Sequence, residues 1–351
     1  MLWKIFAIFA KMQKYTKAYY ILAISFIALF FGNLVYGSVN IPAKEVLNIL
    51  FGGESPKASW SMIILNSRLP QCITALLSGA SLAISGLLLQ TLFRNPLAGP
   101  SILGISDGAN LGVAAVMLCT GGVIGGMGGG GYLTIVLAAL AGSIAVLAII
   151  IWFSQKVKSN VMLLIIGIMI GYLASSLISI LNYHASADKV HQFVMWGMGD
   201  FSGVSADKLP YFASFTLVGL IFSLLLIKPL NALLLGEMYA ANLGINVRSA
   251  RISILLCTGI LTATITAFCG PVSFIGLAVP HVARMLLGTS NHKHLVPVTI
   301  LSGACIAMLC NMLTVVPGSS NMLPLNAVTP MIGAPIIIYV IVNRKNLQYF
   351  N

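Results

Sequence analysis

The sequence predicts an all-α polytopic membrane protein of about ten transmembrane helices, on three observations. Apolar residues fill 58% of its 351 positions and charged residues only 7%, against roughly 25% charged residues in a soluble domain. The apolar residues gather into runs near the length of about 20 residues that crosses a bilayer. The basic residues crowd into alternate connections between those runs. The predicted spans are 19–38, 68–92, 100–119, 132–153, 161–182, 208–230, 252–269, 272–288, 295–316 and 327–343.

Charge fixes the orientation. With the amino terminus inside, Lys4, Lys11, Lys14, Lys17, Arg94, Lys156, Lys158, Lys228, Arg248, Arg251, Arg284, Lys293, Arg344 and Lys345 lie on the inner side. Only Lys44, Lys57, Arg68, Lys189 and Lys208 lie outside. This positive-inside asymmetry places both termini in the cytoplasm, with 1–18 as a cytoplasmic segment. It also accounts for the net charge of +12 without a nucleic-acid partner. Lys4 and Lys11 interrupt the first apolar run, and no small-residue cleavage site follows the run from Tyr19, so a cleaved signal is not expected. The six cysteines stand singly in apolar segments, without ligand spacing, and read as core residues.

The outer loop 39–67 carries Gly52, Gly53 and Pro56 as turn signals, with a short surface helix expected at 41–51. In the second span Ala75, Gly79 and Ala83 recur every four residues, beside Ser78, Ser81 and Ser85. Small side chains let backbones approach where lipid supplies no hydrophobic drive. The run Arg94-Asn95-Pro96-Leu97-Ala98-Gly99-Pro100 then breaks the helix. Such a break at membrane depth needs shelter in protein or water. The glycine-rich 121–131 reads as a flexible outer connection. It has no Lys-Ser/Thr pair or strand-to-helix context for a phosphate.

The fifth span repeats Gly167, Gly171, Ser175 and Ser179, either a packing surface or a pore lining. The outer segment 183–207 holds His184, Asp188, His191 and Asp200, whose spacing matches no standard metal set. The inner loop 231–251, with Glu237 as the one acidic residue assigned to that side, is long enough for a surface helix. Pro280 should kink the eighth span and free a carbonyl three or four residues upstream. His281 beside it reads as a structural histidine at the kink.

Four motifs, in order, resemble those of the permease subunits of ABC importers for ferric siderophores, haem and cobalamin. They are Arg68-Leu69-Pro70 through Gly79–Gly86, Gln90 and Arg94–Pro100 to Leu103–Ala109; Gly236-Glu237, Ala240, Leu243-Gly244 and Arg251; Phe274–Arg284; and Leu323–Pro335. Gln71 stands where the family has a second arginine, Asn326 where it has glycine and Pro330 where it has alanine.

The resemblance implies a single permease domain over 1–351, with an inverted repeat, working as a homodimer in the bacterial inner membrane. It implies cytoplasmic ATPase subunits carrying ATP and Mg, an extracytoplasmic binding protein and a metal-chelate cargo, with no cofactor or metal held by this chain. By residue, it implies ATPase coupling through Gly236, Glu237, Ala240, Leu243, Gly244 and Arg251, and a translocation path along Gly167, Gly171, Ser175 and Ser179. Ser159, Asn160 and Val161 would form an inner gate and Arg68 would meet the binding protein. Arg94, Asn95, Pro96, Pro280 and His281 would be structural. Among the cargoes the resemblance puts ferric siderophore first, ahead of cobalamin and haem.

Two other classes are weighed. An ion-coupled secondary transporter needs paired ionisable groups inside spans, whereas only Asp107 is clearly placed within one. An intramembrane enzyme needs a nucleophile–base pair or a metal set, and His281 is far in sequence from any acid in a span. Co-purification with an ATPase separates the importer from both.

Overall fold

The computed structural model describes residues 2–119, 129–157, 159–316 and 322–342. Among them the chain is helical, its only strand-like pairing being one isolated bridge, Val315 with Met322. Helix α1 is Leu2–Val35, α2 is Ala43–Leu50, and α3, Ala58–Ile63, runs through a π-turn, Ile64–Arg68, into α4, Leu69–Leu92. A 3₁₀ turn, Pro100–Leu103, leads into α5, Ile105–Cys119. Then follow α6 (Gly129–Lys156), α7 (Asn160–His184), α8 (Ala187–Gly197), α9 (Leu209–Leu225), α10 (Ile227–Leu234) and α11 (Glu237–Asn242). The last four are α12 (Val247–Cys269), α13 (Ile275–Leu287), α14 (His292–Thr314) and α15 (Leu325–Val342).

Each predicted span coincides with a helix or helix pair, and the short helices expected at 41–51 and in the 231–251 loop are α2 and α11. Among the described residues six helical stretches are long and apolar enough to cross a membrane, one of them the joined α3–α4. Three expected spans need correction. The span at 100–119 is a 3₁₀ turn followed by a helix of 15 residues, α5. The span at 208–230 is a pair, α9 and α10, bent by 51°. The span at 272–288 is a helix of only 13 residues, α13, about 20 Å long against a hydrocarbon core of about 30 Å. The segment before it is not helical. Of the cysteines expected in the core, Cys119 is exposed at the end of α5, while the other five are buried. Most of the expected glycine-rich connection, at 120–128, lies outside the described residues.

Helix α4 is the core. Nearly all its side chains are buried, its serines and threonines included, with α9, α12, α13 and α14 packed around it. The small-residue spacing explains how they approach. A Cβ on Gly79 would collide with the Gly303 carbonyl of α14, and one on Gly86 with the Gly276 carbonyl of α13. Toward the Arg68 end of α4, three amides tie α1, α4 and α14 in a chain. Gln71 Nε2 donates to Asn311 Oδ1 (3.0 Å), and Asn311 Nδ2 to Asn33 Oδ1 (2.8 Å). Asn33 Nδ2 closes the chain on the Leu29 and Met308 carbonyls. Gln71, where the resembled family carries arginine, is thus an uncharged link in a buried chain.

Near Pro280, which has no N–H to offer the preceding turn, the Leu277 carbonyl accepts from Gln90 Nε2 of α4 at 3.2 Å. The start of α13 is fixed from α15. Phe274 adopts φ +66°, a conformation that costs a bulky residue on the order of 1–3 kcal/mol. Its ring lies against Gly333. Asn326 holds the segment by accepting from the Ser273 N–H (3.0 Å) and donating to the Pro271 (2.7 Å) and Gly197 (3.2 Å) carbonyls. The glycine at this position in the resembled motif could make none of these bonds.

This packing predicts an asymmetry between two glycines. Gly86→Ala sets a methyl against an immovable carbonyl and should cost about 3 kcal/mol, the upper end of overpacking losses. Gly99 is extended, with its nearest foreign atom 4.0 Å from an added Cβ, so Gly99→Ala should be tolerated. Melting temperatures of the two detergent-solubilised variants check this: equal values would remove the close-approach account.

Candidate functional site

The end of the molecule that holds the α10–α12 connection carries the densest polar construction. Gly236, at φ +105°, turns the chain out of α10, and Gly244, at φ +81°, turns it out of α11. Between them Glu237 opens α11 and Ala240 is buried beneath it. Met238, Tyr239 and Leu243 are left exposed. Glu237 is turned back into the protein. Its Oε1 accepts from Arg251 Nη2 at 2.8 Å and from Asn160 Nδ2 at 3.0 Å.

Both donors are themselves committed. Arg251 lies in the first turns of α12, its side chain 10% exposed against 37% for Glu237. Its Nη1 donates to the Ser154 and Val157 carbonyls, both at 3.2 Å, satisfying the last turn of α6. Asn160, first residue of α7, also donates to the Leu92 carbonyl at the end of α4, at 3.0 Å. Ser159 caps α7, its hydroxyl accepting from the Met162 N–H, and Val161 is exposed. Of the three expected gate residues, Asn160 therefore joins the Glu237 cluster, while Ser159 and Val161 do not.

A second cluster surrounds the end of α4. Arg94 takes φ +47°, and the Arg94 and Asn95 N–H groups return to the Thr91 and Gln90 carbonyls. This is a Schellman ending built on a non-glycine residue. Asn95 Oδ1 accepts from the Leu97 N–H at 2.9 Å, closing the following turn. The Pro96 carbonyl faces His281 Nε2 at 2.8 Å, so that nitrogen carries the proton and donates. His281 is fully buried, which fits its structural reading. One turn on, Arg284 Nη1 donates to Gln90 Oε1 at 2.6 Å. His292 Nε2 meets the Thr91 hydroxyl at 2.9 Å. Arg94 itself is exposed, its Nη1 3.7 Å from where a Gly236 Cβ would stand.

The small-residue ladder of α7 divides. A Cβ on Gly167 would lie 2.9 Å from the Ile102 carbonyl and Leu103 Cα, and one on Gly171 would lie 2.6 Å from Asp107 Oδ2. Gly171 is therefore small because a carboxylate fills its side-chain space. Ser175 and Ser179 are exposed. Steps of four residues advance about 40° around a helix, so the ladder leaves the α5 contact and ends on the outer face of α7. A shared face for all four residues does not survive this drift.

Arg68 also departs from expectation. Meeting a binding protein requires an accessible side chain, yet Arg68 is 7% exposed. Its Nη1 donates to the Leu34 and Val35 carbonyls at 2.8 and 2.9 Å, and its Nη2 to the Val39 carbonyl. The π-turn at Ile64–Arg68 ends on this residue, and the guanidinium caps the carboxyl end of α1.

Sequence reasoning named Gln90, Arg284 and Asn326 only as motif positions, without their partners, and passed over Asn311. The signal available was a polar residue inside an apolar run, which costs too much in lipid to lack a partner. His184, Asp188, His191 and Asp200 are not brought together, and among the described residues no three of His, Cys, Asp and Glu group as metal ligands.

The profile of the FecCD transport family matches residues 24–343. The vitamin B12 import system permease protein BtuC of Klebsiella pneumoniae is 34% identical over 84% of this chain and 86% of its own. The hemin transport system permease protein HmuU of Yersinia pestis is 33% identical over 92% of this chain and 96% of its own. A solved chain from an inward-facing metal-chelate type ABC transporter superposes with a TM-score of 0.79 at 29% identity, covering 94% of this chain and 99% of that one.

The burial of Arg68 gives a direct test. Arg68→Ala leaves three carbonyls at the end of α1 without a donor and should lower stability by about 1–3 kcal/mol. Arg68→Lys, which cannot reproduce the fork, should recover only part of this. Thermal unfolding of the purified chain, without any partner, reads the effect. An Arg68→Ala chain as stable as the parent would return this residue to the surface role.

Proposed function

This chain belongs to the FecCD transport family, and on that premise we propose that it is the membrane-spanning permease subunit of an ATP-driven importer. In this reading two copies form the channel in a bacterial inner membrane, with both termini in the cytoplasm. Each copy meets a cytoplasmic ATPase that carries ATP and Mg, and an extracytoplasmic protein delivers the cargo. The chain performs no covalent chemistry; it converts closure of its ATPases into alternating access.

The observation that carries the proposal is the mounting of α11. A six-residue helix exposes Met238, Tyr239 and Leu243 while its one charged side chain, Glu237, is held inward by Arg251 and Asn160. An apolar tip on a charged brace suits insertion into a groove of a partner. An ion-coupled transporter would not need this device, and Asp107, the carboxylate of α5, faces a glycine instead of a second ionisable group.

For cargo we put a ferric siderophore first, as the family resemblance implies, with cobalamin and haem as the alternatives. BtuC of Klebsiella pneumoniae and HmuU of Yersinia pestis are named for vitamin B12 and hemin and stand at 34% and 33% identity. That near-equality favours neither over the other. Exposed Ser175 and Ser179 on the outer face of α7 suit a path between two copies, where small neutral hydroxyls hydrate the cargo without holding it.

Two measurements test the proposal. Cells lacking this gene should lose uptake of labelled ferric siderophore and regain it with the gene, while labelled cobalamin and haem uptake stays as before. Loss of cobalamin or haem uptake instead would replace the cargo, and loss of none would remove the importer. A Ser175→Cys chain should react with a membrane-impermeant thiol reagent, and cargo should slow that reaction. Ser175→Cys inert in every nucleotide state would place the path elsewhere.

A further inference from the structure

We propose that Asn160 is the joint that carries movement of α11 to α7, and that Glu237 acts as its partner within the chain and not as a docking charge for the ATPase. The proposal rests on the importer reading.

Helix α11 is bounded by two glycine turns. Gly236 and Gly244 flank it at positive φ, their N–H groups bonded back to the Leu233 and Ala241 carbonyls. An added Cβ on Gly244 would find no atom within 4 Å, and one on Gly236 would find only Arg94 Nη1 at 3.7 Å. Side-chain bonds tie α11 to the rest of the fold as well. Asn160 Nδ2 has two hydrogens, and both are engaged, one with Glu237 Oε1 at 3.0 Å and one with the Leu92 carbonyl at 3.0 Å.

The placement of Asn160 matters more than the bond count. It is the first residue of α7 and Glu237 the first of α11, so the bond joins two helix starts directly. The Leu92 carbonyl belongs to the last residue of α4, the buried helix at the centre of the fold. Asn160 thus sits between a fixed element and one that a partner can move. A displacement of α11 draws Glu237 Oε1 against this amide, and the start of α7 must follow or the bond must break. Arg251 makes the parallel connection to the end of α6 through the Ser154 and Val157 carbonyls. Both ends of the short α6–α7 connection are therefore tied to one carboxylate oxygen. The connection holds Ser159 as well, which gives the expected gate region a physical link to the coupling helix.

Removing Arg251 would strand the Glu237 carboxylate and confound the test by misfolding, whereas Glu237→Gln keeps an oxygen acceptor for both donors, with the melting temperature reporting what the lost charge costs. Asn160 can be changed with the ion pair intact. The full complex of permease, ATPase and binding protein in liposomes is compared for Asn160→Leu, Asn160→Asp, Glu237→Gln and the Asn160→Asp/Glu237→Gln pair. The readout is cargo moved per ATP hydrolysed, with ATPase retention and melting temperature as controls on folding. Asn160→Leu should lower that ratio by about tenfold, the scale of one lost hydrogen bond to a charged group, while the ATPase stays bound. Asn160→Asp should lower it further, since two carboxylates then face each other.

The paired variant discriminates a joint from mere packing. The amide introduced by Glu237→Gln can donate to the carboxylate introduced by Asn160→Asp, so the pair should recover at least about threefold over Asn160→Asp. Glu237→Gln alone keeps an acceptor for both donors and should fall less than Asn160→Leu. An unchanged ratio in Asn160→Leu would overturn the joint, as would a pair no better than Asn160→Asp. A greater loss in Glu237→Gln than in Asn160→Leu would return Glu237 to docking. In those cases the importer itself would stand. A parent complex that retains no ATPase and moves no cargo would instead remove the importer and the joint together.

Discussion

Lipid offers no hydrogen bond, so a chain that interrupts its helices inside a membrane must supply each freed carbonyl and amide from its own residues. The interruptions here follow that constraint. At the break after α4 the Arg94 and Asn95 amides turn back on the helix, and Asn95 closes the next turn with its side chain. Below Pro280 the Leu277 carbonyl finds Gln90. At the start of α13 the Ser273 amide and the Pro271 carbonyl both find Asn326. At the end of α1 the last carbonyls find Arg68. In the last three cases the partner is a side chain from a different helix, so satisfying the backbone also fixes which helices are neighbours.

These ties converge on one place. Gln90, Thr91, the Leu92 carbonyl and the Pro96 carbonyl, near the end of α4, reach Arg284, His292, Asn160 and His281 in turn. The end of α4 is thereby connected to α13, α14 and α7, and through Asn160 to Glu237 of α11. Close glycine contacts at Gly79 and Gly86 hold the rest of the helix. What moves in transport would be arranged around an element that has little freedom to move.

The helical class and the ten regions were legible because apolar run length reports directly on membrane crossing. The short α13 was not, although Gly270, Pro271 and Ser273 are turn residues, because Val272 and Phe274 between them continue the apolar run into the helix. Motif residues were found, but their partners were hidden by sequence distance: Gln90 lies 194 positions from Arg284 and Gln71 lies 240 from Asn311. Spacing can announce that a buried polar residue needs a partner; it cannot say which. Arg68 shows the same limit in reverse. A cation at the edge of an apolar run looks like a surface charge, and only the turn of the chain from α1 back to α4 shows that it faces inward. The ladder in α7 divides between a packed and an exposed part because four residues are slightly more than one helical turn.

The enclosure of α4 has a consequence for how this protein is made. Its serines and threonines are buried in a helix packed against α12, α13 and α14, all of which leave the ribosome long after α4 does. For that interval α4 must reside in the bilayer, or beside the insertion machinery, with its polar side chains facing lipid or helpers. Its hydroxyls can bond to their own helix while they wait, as Thr74 and Thr91 do with the Pro70 and Leu87 carbonyls. The side-chain amides of Gln71 and Gln90 bond far along the chain in the finished fold. Assembly is then set by late, distant contacts, which are slow to form. The last third of the chain closes around a helix inserted near the beginning, so truncation or stalling there would leave the centre of the protein open.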